Sequence, residues 1–351
     1  MSQCTNGVTV ICPGLVGPLP CIPERLPRTP VLDLWLGRGQ VSHGERRDPD
    51  HAVLEAFGLH STPDQAPPTG PICLLGDDPS ADLGGYWMHA DPVHLRPDRD
   101  QLLVFAGDDL QPSQEEAQAL VEAFNLHFAD DHLLLVAPTP GRWYLRVPKD
   151  PGLRTVPLHQ VQGQPMLAHL PEGPRLSEWM RLMNEVQMLF HAHPVNAVCE
   201  SRGRPMLNGL WAWGGGRLPA PPVNPPSLLI GDHPLIRGLS RLGGGQQLPA
   251  SGGTGASILG AGNALVFEDA LWRALRDRDL DAWQLGLEAL EARCAEIDAQ
   301  LRGAGLSSIQ LDPCDGRCWS MTPSRLRRFW RRGGLRRLLS ARAAQVAPLS
   351  G

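Results

Sequence analysis

Residues 8–14 of the chain read Val-Thr-Val-Ile-Cys-Pro-Gly. A short apolar run that ends at Pro-Gly is typical of a buried strand leading into a loop. We predict further strands at similar runs, which occupy residues 72–75, 228–230, 264–267 and 307–311. A helix is predicted over 279–301, where apolar residues recur at steps of three and four. Short buried strands that alternate with helices predict an α/β fold with a mostly parallel sheet.

Residues 86–218 have a different texture, which predicts an inserted α+β domain. Extended stretches are predicted at 86–89, 102–105, 133–136 and 143–147. One helix opens with Ser113-x-x-Glu116, a capping box, and a second is predicted from 176 to 191. Residues 219–226 hold five prolines and predict the return linker. The predicted domains are a discontinuous core of 1–85 and 226–340, the inserted domain at 86–218, and a tail at 341–351.

Composition excludes several classes of function. The 351 residues include 32 Lys plus Arg, of which only Lys149 is lysine, so mechanisms that need a lysine nucleophile or a P-loop lysine have one candidate. No run of 18 apolar residues exists, and the N-terminus lacks the pattern of a signal peptide. Eight cysteines scattered through a chain of this length favour reduced thiols. We therefore predict a cytoplasmic protein without membrane contact.

The C-terminus carries a concentrated positive charge. No Asp or Glu follows Asp315, whereas nine arginines do. Thr322-Pro323 is a strong helix start and Gly333-Gly334 a stop, so a helix is predicted between them, with Leu326, Phe329 and Trp330 on a packed face. Its candidate anion-binding residues are Arg327, Arg328, Arg331 and Arg332. A basic segment of this kind binds nucleic acid or packs against the acidic body of the protein; nucleic acid is the less favoured partner.

Two polar clusters offer candidate ligand-binding residues. In the first, from His89 to Arg96, the side chains of His89, Asp91 and His94 are capable of metal binding. On an extended strand His89 and Asp91 share one face and His94 lies on the other, which favours a structural role. The second cluster, His191 to Asn196, ends a helix at Pro194, where polar side chains either bond the freed carbonyls or face a ligand.

A resemblance follows from the segments around the second cluster. They are His193-Pro194-Val195-Asn196, then Arg202-Gly203-x-Pro205-x-x-Asn208, then Leu210-Trp211-Ala212-Trp213-Gly214-x-Gly216. In this order they resemble a block of the archaeal-type cofactor-independent phosphoglycerate mutases of the alkaline phosphatase superfamily. The resemblance implies a three-layer alkaline-phosphatase-like core with a mostly parallel sheet, interrupted by an inserted α+β domain. It also implies two metal ions and a serine that carries the phosphoryl group.

The chain departs from that family at the positions that would carry the chemistry. Pro13 aligns with the opening metal-ligand aspartate, and Pro49 with the serine nucleophile. The segment 268–281 lacks the family's histidine, and the segment 312–319 lacks its late Asp-His pair. Proline binds no cation through its side chain and does not attack phosphorus. The resemblance therefore implies the family scaffold without its dinuclear site, so we assign no metal ligands and expect no cofactor.

Other segments, including Trp87 to Leu95 and the helix with Asn184, are similar to bacterial regulatory proteins of the RpfE type. The favoured hypothesis is a catalytically degenerate regulatory protein that binds an unknown protein or small molecule. One alternative is an active mutase or phosphohydrolase with a rebuilt Mn or Zn site; the other is nucleic-acid or partner binding through the C-terminal arginines. The candidate ligand-binding residues are His89, Asp91, His94, Arg96, Asn184, His191, His193, Asn196, Asn208 and Arg217.

Overall fold

The structure is a computed structural model that describes residues 6–60, 67–107, 110, 112–252, 255–328, 330–331 and 333–346, the side chains of 343–346 excepted. The chain divides into two compact units. Unit 1 combines the N-terminal residues up to His60 with Pro221 to the C-terminus, and unit 2 is the segment Ser61–Ala220 between them. No helix of the described residues is both long and apolar enough to cross a membrane.

The elements are numbered in chain order. The first part of unit 1 contains β1 (Gly7–Ile11), α1 (Pro30–Arg38), β2 (Gln40–His43) and α2 (Pro49–Phe57). Unit 2 contains α3 (Thr69–Asp77), β3 (Tyr86–Asp98), β4 (Gln101–Phe105), α4 (Gln114–His127), β5 (Leu134–Thr139), β6 (Arg142–Val147), α5 (Leu158–Val161), α6 (Leu176–His191), α7 (Pro194–Ser201) and β7 (Gly209–Gly216). Unit 1 then resumes with β8 (Leu228–Ile230), α8 (Pro234–Gly243), β9 (Gln246–Leu248), α9 (Gly255–Ala261), β10 (Asn263–Phe267), α10 (Ala270–Arg276), α11 (Leu280–Arg302), β11 (Ser308–Asp312), β12 (Arg317–Met321), α12 (Pro323–Leu326) and α13 (Leu335–Val346).

Unit 1 is built on a seven-stranded sheet with the order β2-β12-β11-β1-β10-β8-β9. The pairs from β11 to β9 are parallel, and the pairs that involve β12 are antiparallel. The mostly parallel sheet predicted from the short apolar runs is thus confirmed, since β1, β8, β10 and β11 lie where those runs lie.

Helices cover both faces of this sheet. Val8 and Val10 of β1 face a core that includes α1, α10 and α11, and the helix predicted over 279–301 is α11, with its apolar stripe buried. Both carboxylate oxygens of Glu291 on α11 accept from the first turn of α1, from the backbone N–H groups of Val31 at 2.7 Å and Leu32 at 3.0 Å. The carboxylate therefore satisfies N–H groups at a helix start that has no side-chain cap of its own.

Unit 2 has an antiparallel sheet of five strands, in the order β4-β3-β6-β5 with β7 paired to β3. Each extended stretch predicted in this region is a strand. The capping box is present at the start of α4, where Glu116 N–H donates to Ser113 Oγ at 3.1 Å and Ser113 N–H donates to Glu116 Oε2 at 2.9 Å. The second predicted helix is α6, which has the predicted bounds.

One predicted strand is wrong. Residues 72–75 belong to the helix α3 and not to a strand. Four apolar residues in a row do not distinguish a buried strand from a buried helix by periodicity, and α3 is buried along most of its length. A side chain at Gly70 would collide with the backbone of Met88 at 2.7 Å, so α3 lies directly on β3.

The predicted C-terminal helix is also wrong in its extent. It closes after one turn as α12, and a separate helix, α13, begins after Gly334. Trp330, predicted on a packed face, has 67% of its surface exposed, and the core is reached instead by Leu335 and Leu339 of α13. Arg332 and Phe329 lie outside the described residues. A short segment dominated by arginine has little apolar surface to bury, so it does not hold a long helix against the core.

Candidate functional site

The carboxyl ends of the parallel strands β11, β1, β10 and β8 meet at one edge of the unit 1 sheet. Cys12 follows β1 and donates its N–H to the carbonyl of Asp312 at 2.8 Å. Glu268 follows β10 and donates its N–H to the carbonyl of Ile11 at 2.9 Å. Ligands of open α/β sheets bind at this edge. It is therefore the place where a phosphotransfer site would be expected.

Arg47 neutralises the acid at the end of β11. Its guanidinium contacts the carboxylates of Asp312 and Glu55, and the Asp312 side chain is only 8% exposed. The second oxygen of Asp312, Oδ1, accepts the N–H of Cys314 at 2.8 Å. Burial raises the pKa of Asp312, while the Arg47 charge lowers it. Asp312 is thus bonded at both oxygens by groups of the protein itself.

Arg293 of α11 neutralises Glu268, the acid that follows β10 on the other side of β1. The guanidinium contacts the Glu268 carboxylate and the Ala250 carbonyl, and both charged side chains are mostly buried. Burial raises the pKa of Glu268, an effect that Arg293 opposes. The neighbouring Asp269 pairs with Arg273 at 3.2 Å. Asp312, Glu268 and Asp269 are therefore each paired with an arginine.

A dinuclear metal centre does not fit this edge. Within the described residues, no group of three or more His, Cys, Asp or Glu is placed to hold a metal ion. Pro13 follows Cys12 immediately, and Pro49 is the first residue of α2. Because the side chain of proline has no polar atom, neither residue offers a metal ligand or a nucleophile. Burial raises the pKa of the Cys12 thiol, and the charges around it raise this pKa further. The thiol therefore stays neutral and unreactive.

His89 and Asp91 lie on one face of β3, as the strand prediction requires. The His89 ring stacks on Trp213, its neighbour on β7, with ring centroids 4.1 Å apart. Trp213 Nε1 donates to Asp91 Oδ2 at 2.8 Å. Burial raises the pKa of Asp91 to about 7. These two predicted candidates therefore share one buried cluster built on an aromatic ring, without His94.

The other half of that cluster consists of residues that no sequence pattern singles out. Asp77, the last residue of α3, accepts from Arg142 Nε at 2.8 Å and from the Tyr144 hydroxyl at 2.7 Å, and its side chain is 1% exposed. In the sequence, the Asp77-Asp78 pair is typical of a turn, where Asp bonds local backbone groups. Its partners are separated from it by more than 60 residues, so local sequence gives no sign of them.

Two of the predicted asparagines are structural. Asn196 is fully buried; its Nδ2 donates to the carbonyls of Phe190 at 2.7 Å and Leu207 at 2.9 Å, and its Oδ1 accepts from Leu207 N–H at 2.8 Å. Asn208 bonds both backbone groups of Leu95, at 2.7 and 3.0 Å. Both side chains bond backbone groups that would otherwise lack a partner. Asn196 bonds a carbonyl at the end of α6, which is one of the two roles predicted for the second cluster.

The remaining candidates of unit 2 are dispersed. His193 caps α7 by accepting from Val195 N–H, and burial lowers its pKa. His191 is exposed in the last turn of α6, and Asn184 lines a small apolar cavity of 50 Å³. Arg217 is exposed beside a polar cleft of 810 Å³. His94 and Arg96 line a separate pocket of 370 Å³.

The C-terminal arginines divide into two groups. Arg317 and Arg342 contact the buried carboxylate of Asp315. Arg327 and Arg331 are exposed in the turn after α12, and Arg328 is half-buried there. Part of the basic segment therefore bonds an acid of unit 1. This agrees with the expectation that the segment packs against the acidic body of the protein.

The sheet order, the helices on both faces of the sheet and the separate antiparallel unit define an alkaline-phosphatase-like α/β fold. The structure of PH0037 protein from Pyrococcus horikoshii has this fold, with a TM-score of 0.56 and 16% sequence identity over 95% of this chain and 92% of that one.

The sequence relatives are mutases. The probable 2,3-bisphosphoglycerate-independent phosphoglycerate mutase of Geobacter sulfurreducens is 27% identical over 254 residues, which are 66% of this chain and 61% of that protein. The 2,3-bisphosphoglycerate-independent phosphoglycerate mutase 2 of Methanothermobacter thermautotrophicus is 32% identical over 123 residues, 33% of this chain and 29% of that protein. The chain thus spans less than two thirds of the length of these relatives. No family model matches the sequence. The homologues of the chain are cofactor-independent phosphoglycerate mutases.

Proposed function

We propose that this phosphoglycerate-mutase-like protein has lost phosphotransfer chemistry and acts as a cytoplasmic regulatory or ligand-binding protein. The observation that carries the proposal is the pairing of Asp312 with Arg47 and of Glu268 with Arg293 at the carboxyl edge of the sheet. A metal ion in a phosphotransfer site offers open coordination positions that polarise the phosphoryl oxygens. A tethered guanidinium supplies positive charge to the carboxylates but no such positions.

The regulatory role rests on the similarity to proteins of the RpfE type, and the cytoplasmic location on the seven free cysteines of the described residues. The partner is an unknown protein or small molecule. Pro13 and Pro49 support the same proposal, because they stand where the resemblance places a metal ligand and the nucleophile.

An active enzyme with a rebuilt metal site is the competing function. It would draw its ligands from His89, Asp91, His94, His191 and His193. The geometry weighs against it, because Asp91 is bonded to Trp213 and His94 lies on the opposite face of β3, bonded to Met206. The geometry also weighs against the hypothesis of nucleic-acid binding, because part of the basic segment already bonds Asp315.

Metal content tests the proposal. The purified protein, dialysed against Mn²⁺ or Zn²⁺ and then desalted, is expected to retain no stoichiometric metal and to show an unchanged melting temperature. The Methanothermobacter relative, treated in parallel, serves as the comparison. One or two equivalents of tightly bound metal, with a rise in melting temperature, would overturn the proposal.

A further inference from the structure

The pocket of 370 Å³ that contains His94 and Arg96 lies within unit 2. One wall is the hairpin of β3 and β4, where His94 stands directly opposite Phe105. The other wall is the loop 203–206, which follows α7. Each wall carries an arginine, Arg96 on the hairpin and Arg204 on the loop.

The walls are fixed to each other by side chain to backbone bonds. Asn208 pairs with the backbone of Leu95 at 2.7 and 3.0 Å, and His94 Nδ1 bonds the Met206 carbonyl at 2.9 Å. Because a carbonyl only accepts, Nδ1 of His94 is the donor in this bond. These bonds hold the segment 206–208 against β3.

Both guanidinium groups are held in place. Arg204 is bound by the two carboxylate oxygens of Glu116 and donates to Cys199 Sγ at 3.4 Å. Arg96 lies over the Phe105 ring, with its guanidinium carbon 4.3 Å from the ring centroid. A cation stacked on an aromatic face keeps its N–H groups free for another partner.

Arg96 supplies the positive charge that would attract an anion to the pocket. The carboxylate of Glu116 is occupied by Arg204, and within the described part of the chain Arg96 makes no ion pair. Among the described residues, Glu200 is the one carboxylate that lines the pocket, and it is exposed. The rest of the lining is mainly apolar, including Phe105 and Leu110. The pocket therefore combines two fixed guanidinium groups with an apolar surface, the arrangement that receives a small organic anion.

We infer that this pocket binds a small organic anion, a carboxylate or a phosphate ester with an apolar portion, whose charged group Arg96 and Arg204 bind together. The inference names a ligand class for the ligand-binding role and rests on the proposed function. It assigns Arg96 as the principal binding residue, because its N–H groups are the ones not already bonded to a carboxylate.

The test is a titration of the full chain with two probes, inorganic phosphate and benzoate, followed by NMR at the backbone amides of 203–206 and the Arg96 side chain. At least one probe is expected to shift these signals saturably. Arg96→Gln is expected to weaken binding about tenfold or more, the worth of a hydrogen bond to a charged group. The probe that binds more tightly identifies the ligand as a phosphate ester or a carboxylate.

Two further variants control for net charge. Arg181→Gln, an exposed arginine of α6 outside the pocket, changes the charge by the same amount and is expected to leave the affinity unchanged. Glu200→Gln removes the lining carboxylate and is expected to tighten binding about two- to fivefold.

The assignment is overturned if neither probe shifts the 203–206 amides, or if Arg96→Gln and Arg181→Gln bind equally. The proposed function fails by a different result, turnover of phosphoglycerate by the wild-type chain. That turnover would leave the pocket assignment intact.

Discussion

Arg293 and Glu268 form an ion pair in which neither side chain is more than 13% exposed. A charge buried to this extent is tolerated only with a partner, since taking it out of water costs several kcal/mol. The partner here comes from α11, so the long helix that packs the core also neutralises the end of β10.

Removing that partner is expected to be costly. Arg293→Met should lower the free energy of unfolding by about 3–5 kcal/mol at neutral pH, because Glu268 is left as an uncompensated buried charge. The double variant with Glu268→Gln should recover most of the loss. Urea denaturation at pH 7 measures the free energy of unfolding of the single and the double variant. Equal decreases in the two variants would show that packing, and not charge, explains the effect.

Asp91 predicts a pH dependence of stability. Its pKa is raised from 3.8 to about 7 in the folded protein by burial, so the folded state holds a proton that the unfolded state has lost between these values. Stability contributed by this group is full below pH 3.8 and falls as the pH rises to 7, by about 1.4 kcal/mol per pKa unit.

The variant Asp91→Asn keeps the acceptor for Trp213 and removes the titration. The difference in unfolding free energy between Asp91→Asn and the wild type should therefore grow in favour of the variant from pH 4 to pH 8. Urea midpoints across this range provide the measurement. A difference that stays constant with pH would contradict the raised pKa.

Asn196 is predicted to be a structural residue. Asn196→Ala removes three buried hydrogen bonds and should destabilise the protein by about 3 kcal/mol. Asn184→Ala, an exposed position on α6, is the matched control and should change stability by no more than about 0.5 kcal/mol. Similar losses for both variants in chemical denaturation would argue against the bonding role of Asn196.

The C-terminal arginines are expected to differ in importance. Replacing Arg327, Arg328 and Arg331 by Gln should leave the melting temperature nearly unchanged, because none is fully buried. Asp315→Asn should lower it, since its side chain is 5% exposed and binds two arginines. Thermal unfolding of the two variants checks this. Binding of duplex DNA by the wild type that weakens steeply with salt would instead support the nucleic-acid function.

Apolar patterns predicted most of the fold. The helix over 279–301 follows from apolar spacing, because α11 buries one face. The strands at 228–230 and 264–267 follow from short continuous apolar runs, because their residues are almost all buried. The run at 72–75 was assigned to the wrong element, since four buried residues carry no period. Pro13 and Pro49 could be compared with a metal ligand and a nucleophile only through the resemblance to a family.

The ion pairs at the sheet edge could not be predicted. Arg47 and Asp312 are separated by 265 positions, and only the parallel order of β1, β10 and β11 brings such distant residues to one edge. The proposed anion pocket could be predicted in part, because His94 and Arg96 are two residues apart on β3 and share one of its faces. Arg204 could not be predicted to join them, since its position depends on Glu116 of α4.

We propose that Arg47 and Arg293 take the place of a metal-dependent centre. The decisive measurement is turnover of phosphoglycerate by the purified full chain with added Mn²⁺, with the Methanothermobacter mutase assayed under the same conditions as a positive control. No interconversion of 2- and 3-phosphoglycerate above the rate without protein is expected. Robust turnover that depends on Mn²⁺ would show that the metal-dependent chemistry is retained.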